Sequence, residues 1–210
     1  MRFYYTLIQI NSDKKIKMYV PMDIPKQLRA IDPISYTRVI LGNSEAFKFL
    51  KEIFNIVAQI NEEGALFYIP NQSITSKQLK EIWPVGNFEL GLLIQNYHLT
   101  QLDKKEVLYL IDKYKKVTRK SEFSFDILEQ RNGKAETNYW EINKKLCTKS
   151  YNKIFEISTS REVFLRLAHD VSSFIGLKND PIYNFDYHRH EDNIGTKEDN
   201  GLDFFYYLGY

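Results

Sequence analysis

Cys147 is the chain's single cysteine in 210 residues, which excludes an internal disulfide and any metal site built on several thiolates. No stretch approaches the roughly 18 consecutive apolar residues that a membrane-spanning helix needs. The opening run from Met1 to Ile10 is short, is broken by Thr6 and Gln9, and lacks a small-residue cleavage site. It reads as a first strand and not as a leader, so with a lone thiol the expected compartment is the cytoplasm. Gly-x-Gly-x-x-Gly, a Walker loop and Gly-x-Ser-x-Gly are all missing, so no dinucleotide, nucleoside triphosphate or nucleophile-elbow chemistry is signalled. Lys144, Lys145 and Lys149 surround Cys147 in sequence, but no histidine is near it to act as a base. His98 stands where a strand ends and reads as a turn residue.

Strong net charge is also missing, with 29 basic against 27 acidic side chains. The balance hides an asymmetry: residues 150 to 210 carry six basic and ten acidic groups, the remainder 23 and 17. An acidic C-terminal part repels phosphate and suits a basic protein partner. The one aromatic among the lysines and arginine from Lys113 to Lys120 is Tyr114, which belongs to the inward stripe of the helix, so the run of stacking rings that single-strand nucleic-acid binders use is missing. They read as a solvated helix end, and no nucleic acid or membrane partner is expected.

What is present is a core, since the chain is 43% apolar and 15% aromatic. Phe3 to Ile10 and Ile16 to Val20, parted by Asn11-Ser12-Asp13-Lys14, predict a hairpin. Pro21, Pro25 and Pro33 mark 21 to 36 as a connector. A short strand at 38 to 41 leads through Asn43-Ser44 into a helix whose stripe is Phe47, Leu50, Phe54 and Val57. Strands at 65 to 69 and 88 to 95, a short helix from 76 to 83, and a helix from Asp103 to Lys116 follow. Asn132-Gly133 between two strand-like runs predicts a second hairpin. Residues 143 to 150 read as a linker or an ordered turn into a strand at 154. That strand enters a helix with Phe164, Leu167, Ala168 and Val171 inward, behind a possible capping box at Thr159-Ser160-Arg161-Glu162. This last unit repeats the plan of the earlier one roughly 115 residues on. The expected fold is α+β: two β-α-β-β units and two hairpins building an antiparallel or mixed sheet packed by helices. Residues 1–149 form an N-terminal α+β region and 150–210 a C-terminal unit, separate or in one continuous domain.

The candidate site is a strand from Ile182 to Asp192. Alternation puts Tyr183, Phe185, Tyr187 and Arg189 on one face, and Asn184, Asp186, His188, His190 and Asp192 on the other, with Phe205 and Tyr207 alongside. Three readings fit that polar row. One is an exposed sheet face. A second is a metal site, with His188 and His190 about 7 Å apart and an aspartate beside them, though no third histidine or placed base accompanies them. The third is a recognition surface of titratable groups framed by aromatics.

The order of features here resembles a family of immunity proteins from bacterial polymorphic-toxin systems. The residues that carry it are Ser158, then Phe164-Leu165-Arg166-Leu167-Ala168-His169-Asp170-Val171, then His188-Arg189-His190-Glu191-Asp192, then Leu202-Asp203-Phe204-Phe205-Tyr206. The most specific part is His188-x-His190-x-Asp192, and Glu191 stands where the family carries an apolar residue. The resemblance covers about the last quarter of the chain and implies stoichiometric neutralisation of a toxin domain, without catalysis, cofactor or bound metal. It implies that Asp186, His188, His190, Asp192 and Tyr207 lie on or near the contact surface, the acidic ones facing basic groups of the toxin. The alternatives are a metal-dependent hydrolase using His188, His190 and Asp192, and a partner-binding module with no toxin involved.

Overall fold

The computed structural model describes residues 1–34, 37–71, 77–126, 146–177, 184–191 and 201–208. Within them the expected α+β class is found, as four helices and eleven strands that join one mixed sheet.

The first hairpin is β1 (Arg2–Gln9) with β2 (Lys15–Pro21), antiparallel from Phe3↔Pro21 to Gln9↔Lys15. Asn11 turns it, its Oδ1 accepting the amides of Asp13 and Lys14 at 3.0 and 2.9 Å. The proline-bearing segment expected to be a plain connector contains a strand, β3 (Arg29–Ile34). Pro33 is tolerated because the ladder is irregular there: register shifts fall between Ile31 and Ile34 on one side and between Ala30 and Asp32 on the other. Strand β4 (Thr37–Gly42) feeds α1 (Ser44–Gln59), whose N-cap Asn43 accepts the Ala46 amide at 3.0 Å. Then come β5 (Ala65–Ile69), α2 (Lys77–Ile82), β6 (Asn87–Asn96) and α3 (Lys104–Lys116). Asp103 and Glu106 close a reciprocal capping box on α3.

Strand β7 (Ser121–Ser124) pairs with β1, and the Asn132-Gly133 turn lies outside the described residues. The polar stretch before residue 150 ends in a strand, β8 (Cys147–Tyr151), antiparallel to β9 (Ile154–Thr159). A boundary at 149/150 therefore falls inside β8. Helix α4 (Arg161–Val171) starts at N-cap Ser160 and tightens into a 3₁₀ turn at Ser172–Phe174. Strands β10 (His188–Glu191) and β11 (Gly201–Tyr206) complete the sheet.

The repeated plan is present and larger than the sequence pattern implied. One copy is β3-β4-α1-β5-β6 and the other β8-β9-α4-β10-β11, and the copies are interlocked. Strand β4 pairs in parallel with β11, and β9 with β6, so each copy's entry strand lies against the other's exit strand. The registers match residue for residue: Thr37–Gly42 face Gly201–Tyr206 as Ile154–Thr159 face Gly91–Asn96. Gly91-Leu92 and Gly201-Leu202 thus occupy equivalent places. Helices α1 and α4 pack together on one side of the sheet, Phe47 stacking on Phe174 at 4.1 Å and Phe54 on Phe164 at 6.0 Å. Across the sheet, α3 covers Leu66, Tyr68 and Leu93 with Val107, Leu110 and Ile111. Among the described residues no helix is long and apolar enough to cross a membrane.

Candidate functional site

The His-bearing strand is shorter than alternation alone suggested. Residues 184 to 187 are turn and bend, and β10 spans only His188–Glu191, paired antiparallel with β11 from His188↔Phe205 to Glu191↔Leu202. Phe185 breaks the pattern with φ +65°, a left-handed conformation that reverses the chain. Its ring consequently sits on the histidine side of the sheet and not with Tyr187. It packs against Trp83 at 5.7 Å and Tyr207 at 5.3 Å.

On that side His188 and His190 are exposed, their ring centres 4.8 Å apart. His188 lies flat on Phe205, 5.0 Å between centres and 20° between planes, and Trp83 meets the same phenylalanine edge-on at 5.9 Å. Each imidazole is anchored through Nδ1. His188 Nδ1 is 3.1 Å from the Asp186 backbone carbonyl, and His190 Nδ1 is 2.7 Å from Asp203 Oδ1. A carbonyl and a carboxylate only accept, so both Nδ1 atoms carry the proton, and among the described residues neither Nε2 has a hydrogen-bond partner.

Of the five residues implicated by sequence, the strand brings together His188 and His190. Asp186 is exposed in the preceding turn and contributes its main-chain oxygen. Asp192 lies outside the described residues. Tyr207, expected at or near the contact surface, is fully buried: it follows β11 directly, its amide donating to the Gly42 carbonyl at 2.8 Å, and its ring packs against Phe185 with the Arg29 guanidinium 5.5 Å over it. It supports the surface from beneath. Asp203 was not singled out by sequence, and its signal is a lone acid at alternating phase in an otherwise apolar strand.

The opposite side of β10 is an ionic cluster against α4. Arg166 Nε bonds Asp170 Oδ2 at 3.2 Å and its Nη2 bonds Glu191 Oε2 at 3.1 Å, while Arg189 Nη2 reaches Asp170 Oδ1 at 3.0 Å. Asp170 and Glu191 are both buried. Burial and the Asp170 carboxylate push the Glu191 carboxyl up to about 8, against the opposing pull of Arg166 and Arg189. The i,i+4 spacing of Arg166 and Asp170 is the sequence signal of this cluster. Elsewhere, Glu156 is buried beneath α3's side of the sheet. It accepts from Gln95 Nε2 at 2.8 Å and Tyr151 Oη at 2.7 Å, and burial together with that bond raises the tyrosine pKa.

Among the described residues no group of three or more His, Cys, Asp or Glu side chains is placed to hold a metal ion. No family model, no curated protein and no solved structure matches the chain.

Proposed function

We propose that the chain is an immunity protein that neutralises a toxin domain by stoichiometric binding, docking it on the His188 and His190 face at the β10 edge of the sheet. The observation that carries this is the contrast between the two copies of the repeat. In the first, Leu66, Tyr68 and Leu93 are sealed beneath α3, and the outer edge of β5 is filled by β2, in parallel from Lys17↔Ala65 to Tyr19↔Phe67. In the second, the ladders put His188 where Leu66 stands, His190 where Tyr68 stands and Asp203 where Leu93 stands. There the histidines are exposed, and among the described residues no strand pairs with the outer edge of β10. A surface covered in one copy and open in the other is a ready position for a partner. Its half-exposed rings, Trp83, Phe185 and Phe205, supply the aromatic anchors that interfaces favour. Exposed Asp186 at one end suits the basic groups of a nuclease-type toxin. The sequence resemblance in this same strand supports a toxin as the partner.

The test is growth of cells expressing the product of the neighbouring upstream gene, with and without this chain. Rescue is expected with the intact protein and its loss with His188→Ala combined with Phe205→Ala. Toxicity that the intact protein leaves unrelieved refutes the reading.

A further inference from the structure

We infer that His188 and His190 form a binding site for a late first-row divalent ion of the zinc type, held through their two Nε2 atoms. The inference does not depend on the partner proposed above.

Three independent features of the geometry point to it. The first is tautomer. A histidine that binds a metal through one nitrogen donates the other ring N–H to a carboxylate or a main-chain carbonyl, which fixes the ring and raises the basicity of the ligating nitrogen. His190 has the carboxylate, Asp203 Oδ1 at 2.7 Å, and His188 has the carbonyl of Asp186 at 3.1 Å. Both rings are thereby set with the Nε2 lone pair outward.

The second is spacing. Imidazoles bound at about 2 Å to one tetrahedral ion place their ring centres about 5 Å apart, and those of His188 and His190 lie 4.8 Å apart. The rings are held there from outside the pair. His188 is stacked on Phe205, and Asp203, only 6% exposed, cannot swing away from His190. The side chain of His190 is 54% exposed, so an ion reaches it without any opening of the fold.

The third is the repeat. Leu66, Tyr68 and Leu93 in the first copy form an apolar patch, and at the equivalent places the second copy carries His, His and Asp. An uncovered sheet face tolerates many polar residues. Two histidines with a buried carboxylate under one of them form a ligand pair with its supporting group. Two nitrogen ligands select zinc-type ions over magnesium or calcium, which take oxygen ligands. They leave coordination positions for water or for a donor from outside the chain.

The experiment is titration of the full chain, stripped with chelator, with zinc chloride, followed by calorimetry and by long-range ¹H–¹⁵N spectra of the histidine rings. The expected result is one ion per chain, with large shifts at Nε2 of His188 and His190 while both Nδ1 atoms stay protonated. His188→Ala and His190→Ala abolish that binding, and Asp203→Asn weakens it by about 10- to 100-fold. Circular dichroism and melting of each variant separate lost binding from lost folding. Absence of binding at micromolar zinc overturns the inference, as does binding that survives the double alanine variant or that shifts Nδ1. None of these results bears on toxin rescue, so the two readings fail separately.

Discussion

Arg166 bonds two buried carboxyl groups at once, and the protonation of one of them decides how β10 is held. Asp170 and Glu191 converge on its guanidinium, and two carboxylates that close in a dry site do not both ionise at little cost. The Glu191 pKa is raised from 4.5 to about 8. A group that binds its proton more tightly when folded contributes stability that is complete below its unfolded pKa and lost as pH rises through the folded one. The window therefore runs from about 4.5 up to about 8. Glu191→Gln keeps an acceptor for Arg166 and has no proton to lose. Between about pH 5 and pH 9, with chelator present, urea unfolding should show the wild type losing about 1 kcal/mol or more relative to the Gln variant. Parallel pH profiles would mean that Glu191 is charged throughout. Gly91 poses a simpler question of space: a Cβ there would meet the Tyr68 ring at 2.8 Å. Gly91→Ala should lower stability by about 1–3 kcal/mol, and pairing it with Tyr68→Phe, which removes the hydroxyl that is also 2.8 Å away, should recover part of the loss in the melting temperature.

At the scale of the element, β10 has two edges with different duties. The main-chain groups of Tyr206 face β10, its amide donating to the Tyr187 carbonyl at 2.9 Å, so by alternation Arg189 and Glu191 bond inward to β11. His188 and His190 turn their amides outward. Proline at 190 therefore deletes an outward donor only, whereas proline at 189 breaks the ladder. Arg189→Pro should cost about 3 kcal/mol or more in thermal unfolding, while His190→Pro should stay within about 1 kcal/mol of His190→Ala. Equal losses at the two positions would show that the outer edge is paired in solution. Much of this element was legible in the sequence: period two identified the strand and put His188 and His190 on one face. The extent was not, because Phe185 adopts a left-handed conformation that only the packing of its ring against Trp83 and Tyr207 makes worthwhile. Strand β3 was hidden for a related reason, a proline seated at a register shift. The helices were read closely, since Asn43 and Asp103 cap them by local chemistry that needs no tertiary context.

At the scale of the molecule, the interlocking of the two copies governs how the chain holds together. Local pattern showed that a strand-helix-strand-strand plan recurs, but pairing partners are set by contacts across the whole chain, and so β4 beside β11 and β6 beside β9 were beyond its reach. Without residues 146–210, β4 loses its parallel neighbour and β6 loses one of the neighbours of its second half. Phe47 and Phe54 lose the aromatic faces of Phe174 and Phe164. Without residues 1–145, α4 has no helix to pack on and the β10–β11 pair has no sheet to extend. The pairs β8–β9 and β10–β11, with no strand between them and an uncovered amphipathic helix, are marginal in water. Neither fragment should then show a cooperative melt when made alone, while co-expression of 1–145 with 146–210 should recover a soluble complex of one copy of each. Phe47 and Phe164 hold equivalent places in the repeat and are both fully buried. Alanine at either should cost a similar amount, about 3–5 kcal/mol, and should destroy the melt of the whole chain at once, with helix circular dichroism and tryptophan fluorescence changing together. Two separate transitions, one for each fragment's share of the signal, would show instead that the copies fold independently and only lie side by side.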